Sequence, residues 1–187
     1  MAGSFTEYLA AEARSDVKHE YLDGDVWAMA GGTLEHARLA SEFTRLVGNA
    51  LQGRPCRVFS SDARVRVRGV DRVTYPDLSI ICGRIETDPD DADTLLNPTV
   101  LVEVLSDGTE AADRGEKFHH YRRLASLREY VLVSQKHALV EVARRTDDGS
   151  WLLNEYGPGT KAVLASLDVT IDVDALYRDA LRTPAAS

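Results

Sequence analysis

The sequence predicts an α/β fold, a mixed β-sheet flanked by helices, entered through a short helix and a β-hairpin. Three observations carry that prediction. A helical apolar stripe runs from about residue 33 to 52, period-two and continuous apolar runs fill residues 56 to 134, and a second helical stretch interrupts those runs after residue 106. At 187 residues the chain is long enough for one well-packed core and short for two, so it is taken as a single domain, 1–187, with its core at about 4–180.

The elements follow in order. Ser4-Phe5-Thr6-Glu7 has the capping-box spacing and opens an amphipathic helix to about Arg14. Asp23-Gly24, set between Glu20-Tyr21-Leu22 and Val26-Trp27-Ala28-Met29, predicts a hairpin, because these two residues tolerate the positive φ of a tight turn. Gly31-Gly32 breaks that pair. Thr33 then caps a helix running to about Gln52, with Ala40, Phe43, Val47, Ala50 and Leu51 along its stripe and Arg54-Pro55 ending it. Val65 and Val67 alternate with Arg64, Arg66 and Arg68, a half-buried strand with a basic outer face. Asp71 lies in a turn, Leu78 to Cys82 is the next strand, and Glu86 to Asp93 reads as a solvated acidic loop. Thr99 to Leu105 is an apolar run broken only by Glu103, the mark of a strand buried on both faces. Ser106-Asp107-Gly108 turns into a helix from about Ala111 to Ala125. Strands follow at Glu129 to Ser134, Ala138 to Arg144 and Trp151 to Tyr156, and a last helix at Asp172 to Leu181.

Several classes are disfavoured. No run of about 18 apolar residues exists to form a membrane-spanning helix, and the opening residues lack a basic segment followed by an apolar one. The two cysteines, Cys56 and Cys82, have no metal-ligand spacing, which predicts reduced thiols and a cytoplasmic protein. A net charge of −8 argues against tight unspecific binding to nucleic acid, yet six arginines fall between Arg54 and Arg72, so a basic face coexists with the negative total.

Two acids stand apart by position. Asp77 follows Pro76 at the head of an apolar strand, and Glu103 interrupts another. An isolated buried carboxylate is costly, so such groups are paired or bind a cation. On neighbouring strands these two would converge at one edge of the sheet and, with a backbone carbonyl, hold Mg²⁺. A cation there polarises a phosphodiester and activates water. The competing reading is a pair of structural acids bonded to backbone or arginine.

Pro76-Asp77, Glu103-Val104-Leu105-Ser106 and Asp113-Arg114-Gly115-Glu116-Lys117, in this order, resemble the Uma2 (DUF820) family. So does the opening His19-Glu20-Tyr21-Leu22-Asp23-Gly24-Asp25 with Gly31-Gly32 and His36, and the resemblance spans about residues 4–180. By fold that family belongs to the restriction-endonuclease-like, PD-(D/E)XK, superfamily. The resemblance implies a metal-dependent endonuclease acting on nucleic acid, DNA ahead of RNA, with Mg²⁺ or Mn²⁺ as cofactor. It implies Asp77 and Glu103 as metal ligands and Glu20 as the acid that completes the site. The superfamily's lysine, two residues after the second acid, is replaced here by Leu105; Lys117 on the following helix is its expected substitute. His36, Asp62 and Asp113 are expected around the site. Arg64, Arg66 and Arg68 either bind phosphates or pair with the acidic loop. A homodimer would suit the cutting of two strands. Two rival readings remain: a non-catalytic binding or assembly module, which Leu105 favours, and a metal-free glycosidase, which the presence of only Trp27 and Trp151 as tryptophan platforms disfavours.

Overall fold

A computed structural model describes residues 3–180. Its elements are α1 (Phe5–Glu12), β1 (His19–Leu22), β2 (Asp25–Ala28), α2 (Leu34–Ala50), β3 (Cys56–Ser60), β4 (Arg64–Val67), β5 (Arg72–Thr74), β6 (Leu78–Cys82), β7 (Thr87–Asp88), β8 (Asp91–Leu95) and β9 (Val100–Val104). There follow α3 (Glu110–Ala112), a π-helical turn (Asp113–Lys117), α4 (Phe118–Tyr121), β10 (Glu129–Val133), β11 (Val140–Arg145), β12 (Trp151–Tyr156), β13 (Lys161–Leu164), β14 (Val169–Asp172) and α5 (Val173–Tyr177).

The mixed α/β class holds, but the strands form two six-stranded sheets and a two-stranded pair rather than one sheet. The central sheet has the order β12-β11-β10-β9-β6-β3, and β9 and β10 are its parallel pair. Every residue of both is buried, which is why they read as continuous rather than alternating runs. Helix α2 covers one face, its Leu39, Phe43, Val47 and Leu51 packing with Leu78, Ile80, Val100 and Val102, and α5 and the β13–β14 pair close the same side. The opposite face packs Leu101, Tyr130 and Tyr121 against Val65 and Val67 of the second sheet, ordered β2-β1-β5-β4-β8-β7.

The acidic stretch expected as a solvated loop supplies strands to that second sheet. β7 and β8 pair with each other, and β8 runs parallel to β4, placing its carboxylates against the basic strand. Arg64 meets Asp91 at 2.8 Å, Arg66 meets Asp88 at 3.0 Å and Asp71 at 2.7 Å, and Arg68 meets Asp88 at 3.2 Å. The guanidinium of Arg66 also lies 3.5 Å from the centre of the Phe5 ring. Of the two readings of these arginines, pairing with the acidic stretch is the one observed.

Two further expectations change. Cys56 and Cys82 face each other across β3 and β6 and form a disulfide, where reduced thiols were expected; their separation of 26 residues in sequence hid the pairing. The helix expected from Ala111 to Ala125 ends by Tyr121 and contains the π turn. The last helix is shorter than expected, Asp172 capping it through the Ala175 N–H at 2.9 Å; Leu181 lies outside the described residues.

Asp88 has a fully buried side chain. Burial alone would raise its pKa, but the Asp90 N–H, Arg66 and Arg68 outweigh that and hold it below the usual carboxylate value. Its stabilisation is therefore present above the ordinary aspartate pKa and is lost as pH falls through the lower folded value. Asp88→Asn should cost about 3 kcal/mol at pH 7, because Arg66 and Arg68 lose their buried partner. The difference from wild type should narrow below about pH 4; urea denaturation at both pH values checks it.

Candidate active site

The site forms where the two sheets meet at one edge of β9. Antiparallel pairing sets Leu78 opposite Val102, so Asp77, one residue before β6, comes level with Glu103. The Val104 N–H donates to Asp77 Oδ2 at 2.7 Å, and the Asp77 N–H points at Glu103 Oε2 at 3.4 Å. Each acid is thus held by the other's strand. His36 Nε2 lies 3.1 Å from Asp77 Oδ2. That hydrogen bond, opposed by burial, holds the His36 pKa above its ordinary value. The Thr33 cap places His36 in the first turn of α2, and a Cβ on Gly32 would stand 2.8 Å from His36 Nδ1. A glycine is required there for the imidazole to reach Asp77.

Glu103 is buried. Tyr121 donates its hydroxyl to Oε1 at 3.0 Å, and Thr74 braces Tyr121 at 2.8 Å. Burial drives the Glu103 pKa up; Lys117 opposes this, while Asp113, Asp77 and Glu20 reinforce it. Lys117 is itself buried, its Nζ lying 3.0 Å from Glu20, 3.1 Å from Asp113 and 3.6 Å from Glu103. Desolvation works against its charge, but the three carboxylates outweigh desolvation and keep the ammonium protonated. Asp113 and Lys117 are the two buried residues of the π turn, four apart and therefore on one face, and such turns recur at functional sites.

Glu20 stands behind this lysine. One oxygen takes Lys117 and the other takes Arg72 at 3.3 Å, and Arg72 also reaches Glu116 at 3.1 Å. With both oxygens engaged, Glu20 sits among cations rather than on the open cleft. Asp62 is exposed at the rim, paired with Lys18 at 2.6 Å. Two participants escaped the sequence reading. Arg72, 1% exposed, is a charge at the head of the stretch Arg72-Val73-Thr74-Tyr75, the same signal that marked Asp77. Gln135 joins the Thr33 hydroxyl at 2.6 Å to the Leu105 carbonyl at 2.7 Å, tying α2 to the end of β9.

In front of Asp77 and Glu103 opens a cavity of about 1270 Å³, reached also by Lys117, His36, Lys18 and Lys136. A cleft of this size admits a polymer segment.

A mixed sheet that presents an aspartate and a glutamate from adjacent strands beside a lysine defines the restriction-endonuclease-like class of nuclease folds. The Uma2 family model, described as "Putative restriction endonuclease", matches residues 5–174, and the chain belongs to that family. The uncharacterized protein slr1290 of Synechocystis sp. is 36% identical over 175 residues, covering 92% of this chain and 90% of that protein. A second Synechocystis protein, the uncharacterized sll1609, is 31% identical over 149 residues, 80% of this chain and 84% of its own. The crystal structure of "a putative nuclease belonging to DUF820" from Anabaena variabilis superposes with a TM-score of 0.76 at 17% identity, covering 94% of this chain and 98% of that one, a likeness of fold.

Lys117→Met tests the ion cluster. Removing the ammonium leaves Glu20, Glu103 and Asp113 facing one another, which should cost about 3–5 kcal/mol at pH 8. The raised Glu103 pKa means that the fold favours the protonated acid. That contribution is complete below the ordinary value of 4.5 and is lost as pH rises through the folded value. The gap between variant and wild type should therefore shrink from pH 8 to pH 5 in thermal melts followed by circular dichroism; a gap independent of pH contradicts the cluster.

Proposed function

We propose that the protein is a divalent-metal-dependent endonuclease that hydrolyses phosphodiester bonds in nucleic acid, DNA ahead of RNA. The observation that carries this reading is the meeting of Asp77 and Glu103 at an open cleft with Lys117 beside them.

The donor set suits a hard cation. Asp77 Oδ2 is engaged by Val104 and His36, while its Oδ1 has no partner among the described residues. Glu103 Oε1 is engaged by Tyr121 and Lys117, while its Oε2 has only the 3.4 Å approach of the Asp77 N–H. One carboxylate oxygen from each acid is therefore left for a ligand. Among the described residues no three histidine, cysteine, aspartate or glutamate side chains form a metal cage. Mg²⁺ does not need one, since it keeps several waters and takes one or two carboxylates together with substrate phosphate. Bound by Asp77 and Glu103, Mg²⁺ or Mn²⁺ would supply charge neutralisation at the phosphate and a lowered pKa for the attacking water.

The remaining chemistry belongs to the chain's own groups. Lys117, whose charge is favoured by Glu103, Glu20 and Asp113, stabilises charge developing on the phosphate. Glu20 was expected as a third metal ligand; here it serves to orient Lys117, with Arg72 and Asp113 fixing the other sides of the cluster. Tyr121 and His36 hold Glu103 and Asp77 in place. The non-catalytic reading keeps one observation in its favour, the triple pairing of Lys117, and the same experiment decides between them.

Wild type and variants purified identically should be assayed with Mg²⁺ or Mn²⁺ on plasmid DNA and on RNA. Asp77→Asn and Glu103→Gln should reduce cleavage to background. Lys117→Ala should lower kcat by about 100-fold while changing KM little, the signature of a group acting in the transition state. Equal cleavage by wild type and Asp77→Asn would overturn the enzyme reading.

A further inference from the structure

The cations that the sequence offered for phosphate binding, Arg64, Arg66 and Arg68, are neutralised by Asp91, Asp88 and Asp71. A different set is not. Between the end of α4 and the β11–β12 turn lies a hollow of about 420 Å³ lined by His119, Arg122, Arg123, Arg145 and Trp151. None of these arginines has a carboxylate within ion-pair distance among the described residues. Arg122 reaches His119 Nδ1 at 3.1 Å and lies over the Phe118 ring. Arg145 donates to the Arg122 carbonyl and stacks on Trp151 at 4.9 Å, while its buried Nε has no partner. Burial and the neighbouring Arg128 both work against the charge on Arg145.

Asp147, exposed two residues after Arg145, makes no ion pair with it, and the other acids nearby in sequence are engaged elsewhere. Asp148 accepts from Thr146 and Ser150, and Glu129 from Ala165 and Ser166. In a chain of net charge −8, a concentration of guanidinium groups without counter-carboxylates marks a surface completed by an external anion. Guanidinium groups match phosphate oxygens in planar, bidentate fashion. Strand register locates the hollow relative to the cleft. Glu103 lies level with Leu132, and Leu132 with Glu141; Arg128 and Arg145 each stand four residues further along. At about 3.3 Å per residue along the strands and about 10 Å across the two strand spacings from β9 to β11, the separation is about 16 Å, close to five base-pair rises of duplex DNA.

We propose that this hollow is a second phosphate-binding site, an exosite that grips the backbone of the nucleic-acid substrate several nucleotides from the bond being cut. The proposal rests on the nuclease reading for the identity of the ligand but not for the catalytic step. The exosite supplies affinity that an acidic chain otherwise lacks, without reading sequence.

Fluorescence anisotropy with a labelled 30-base-pair duplex in EDTA, at several salt concentrations, tests it. Arg122 and Arg123 are exposed, so Arg122→Gln/Arg123→Gln should leave the circular dichroism spectrum unchanged. It should raise Kd at least about tenfold and reduce the salt slope by about 2. The control Arg57→Gln/Arg84→Gln removes the same charge from exposed positions elsewhere and should change Kd less than about twofold. Equal losses in the two double variants, an unchanged Kd in the first, or no duplex binding by wild type overturns the exosite. So does binding of wild type to phosphatidylserine vesicles but not to duplex. Cleavage by Asp77→Asn equal to wild type would sink the nuclease reading alone, and an unchanged Kd in Arg122→Gln/Arg123→Gln the exosite alone.

Discussion

The ammonium of Lys117, buried between Glu20, Glu103 and Asp113, is the interaction on which the site depends. Three carboxylates removed from water repel one another and lose hydration, and each would take up a proton if left unpaired. Lys117 and Arg72 face more carboxyl groups than they can neutralise, since Arg72 also reaches Glu116. That excess lies toward Glu103, whose pKa is raised, and Asp77 adds a second carboxylate where the cleft opens. A divalent cation is the complement such a residue of charge calls for.

The same cluster joins the two halves of the fold. Glu20 belongs to β1 and Arg72 to β5 of the outer sheet, Glu103 to β9 of the central sheet, and Asp113 and Lys117 to the π turn that bridges them. Elsewhere the two sheets meet through apolar contacts such as Val65 and Val67 with Leu101 and Tyr121. Apolar packing is non-directional and tolerates small shifts, whereas a hydrogen-bonded ion cluster fixes register. The geometry of Asp77 and Glu103 is thus set by strand pairing from below, through Val104, and by the polar cluster from behind.

Much of this was legible in the sequence. Asp77, Glu103 and Lys117 could be placed because each is a charge that a buried or helical context must account for, and the resemblance supplied their order. The central sheet was legible because continuous apolar runs have one explanation. What escaped depended on long-range pairing. Pairing of the arginines with the acids of residues 86–93 was one of two readings left open, but that those acids form strands, with β8 parallel to β4, could not be read from a stretch that looked like a solvated loop. The cysteines looked unrelated until β3 and β6 aligned them. The π turn leaves no periodic trace, since five residues are too few to shift a helical pattern visibly. The β13–β14 pair did carry a signal, Ala162 and Leu164 alternating with exposed Lys161 and Val163, in a segment given no strand.

The central claim is that this cluster leaves one face of Asp77 and Glu103 open to a cation. Anomalous diffraction from crystals grown with Mn²⁺ tests it most directly. A single strong peak within coordinating distance of both carboxylates is expected, with Lys117 still bonded to Glu20. Mn²⁺ bound only elsewhere, with Asp77 and Glu103 well ordered and no peak between them, would contradict it.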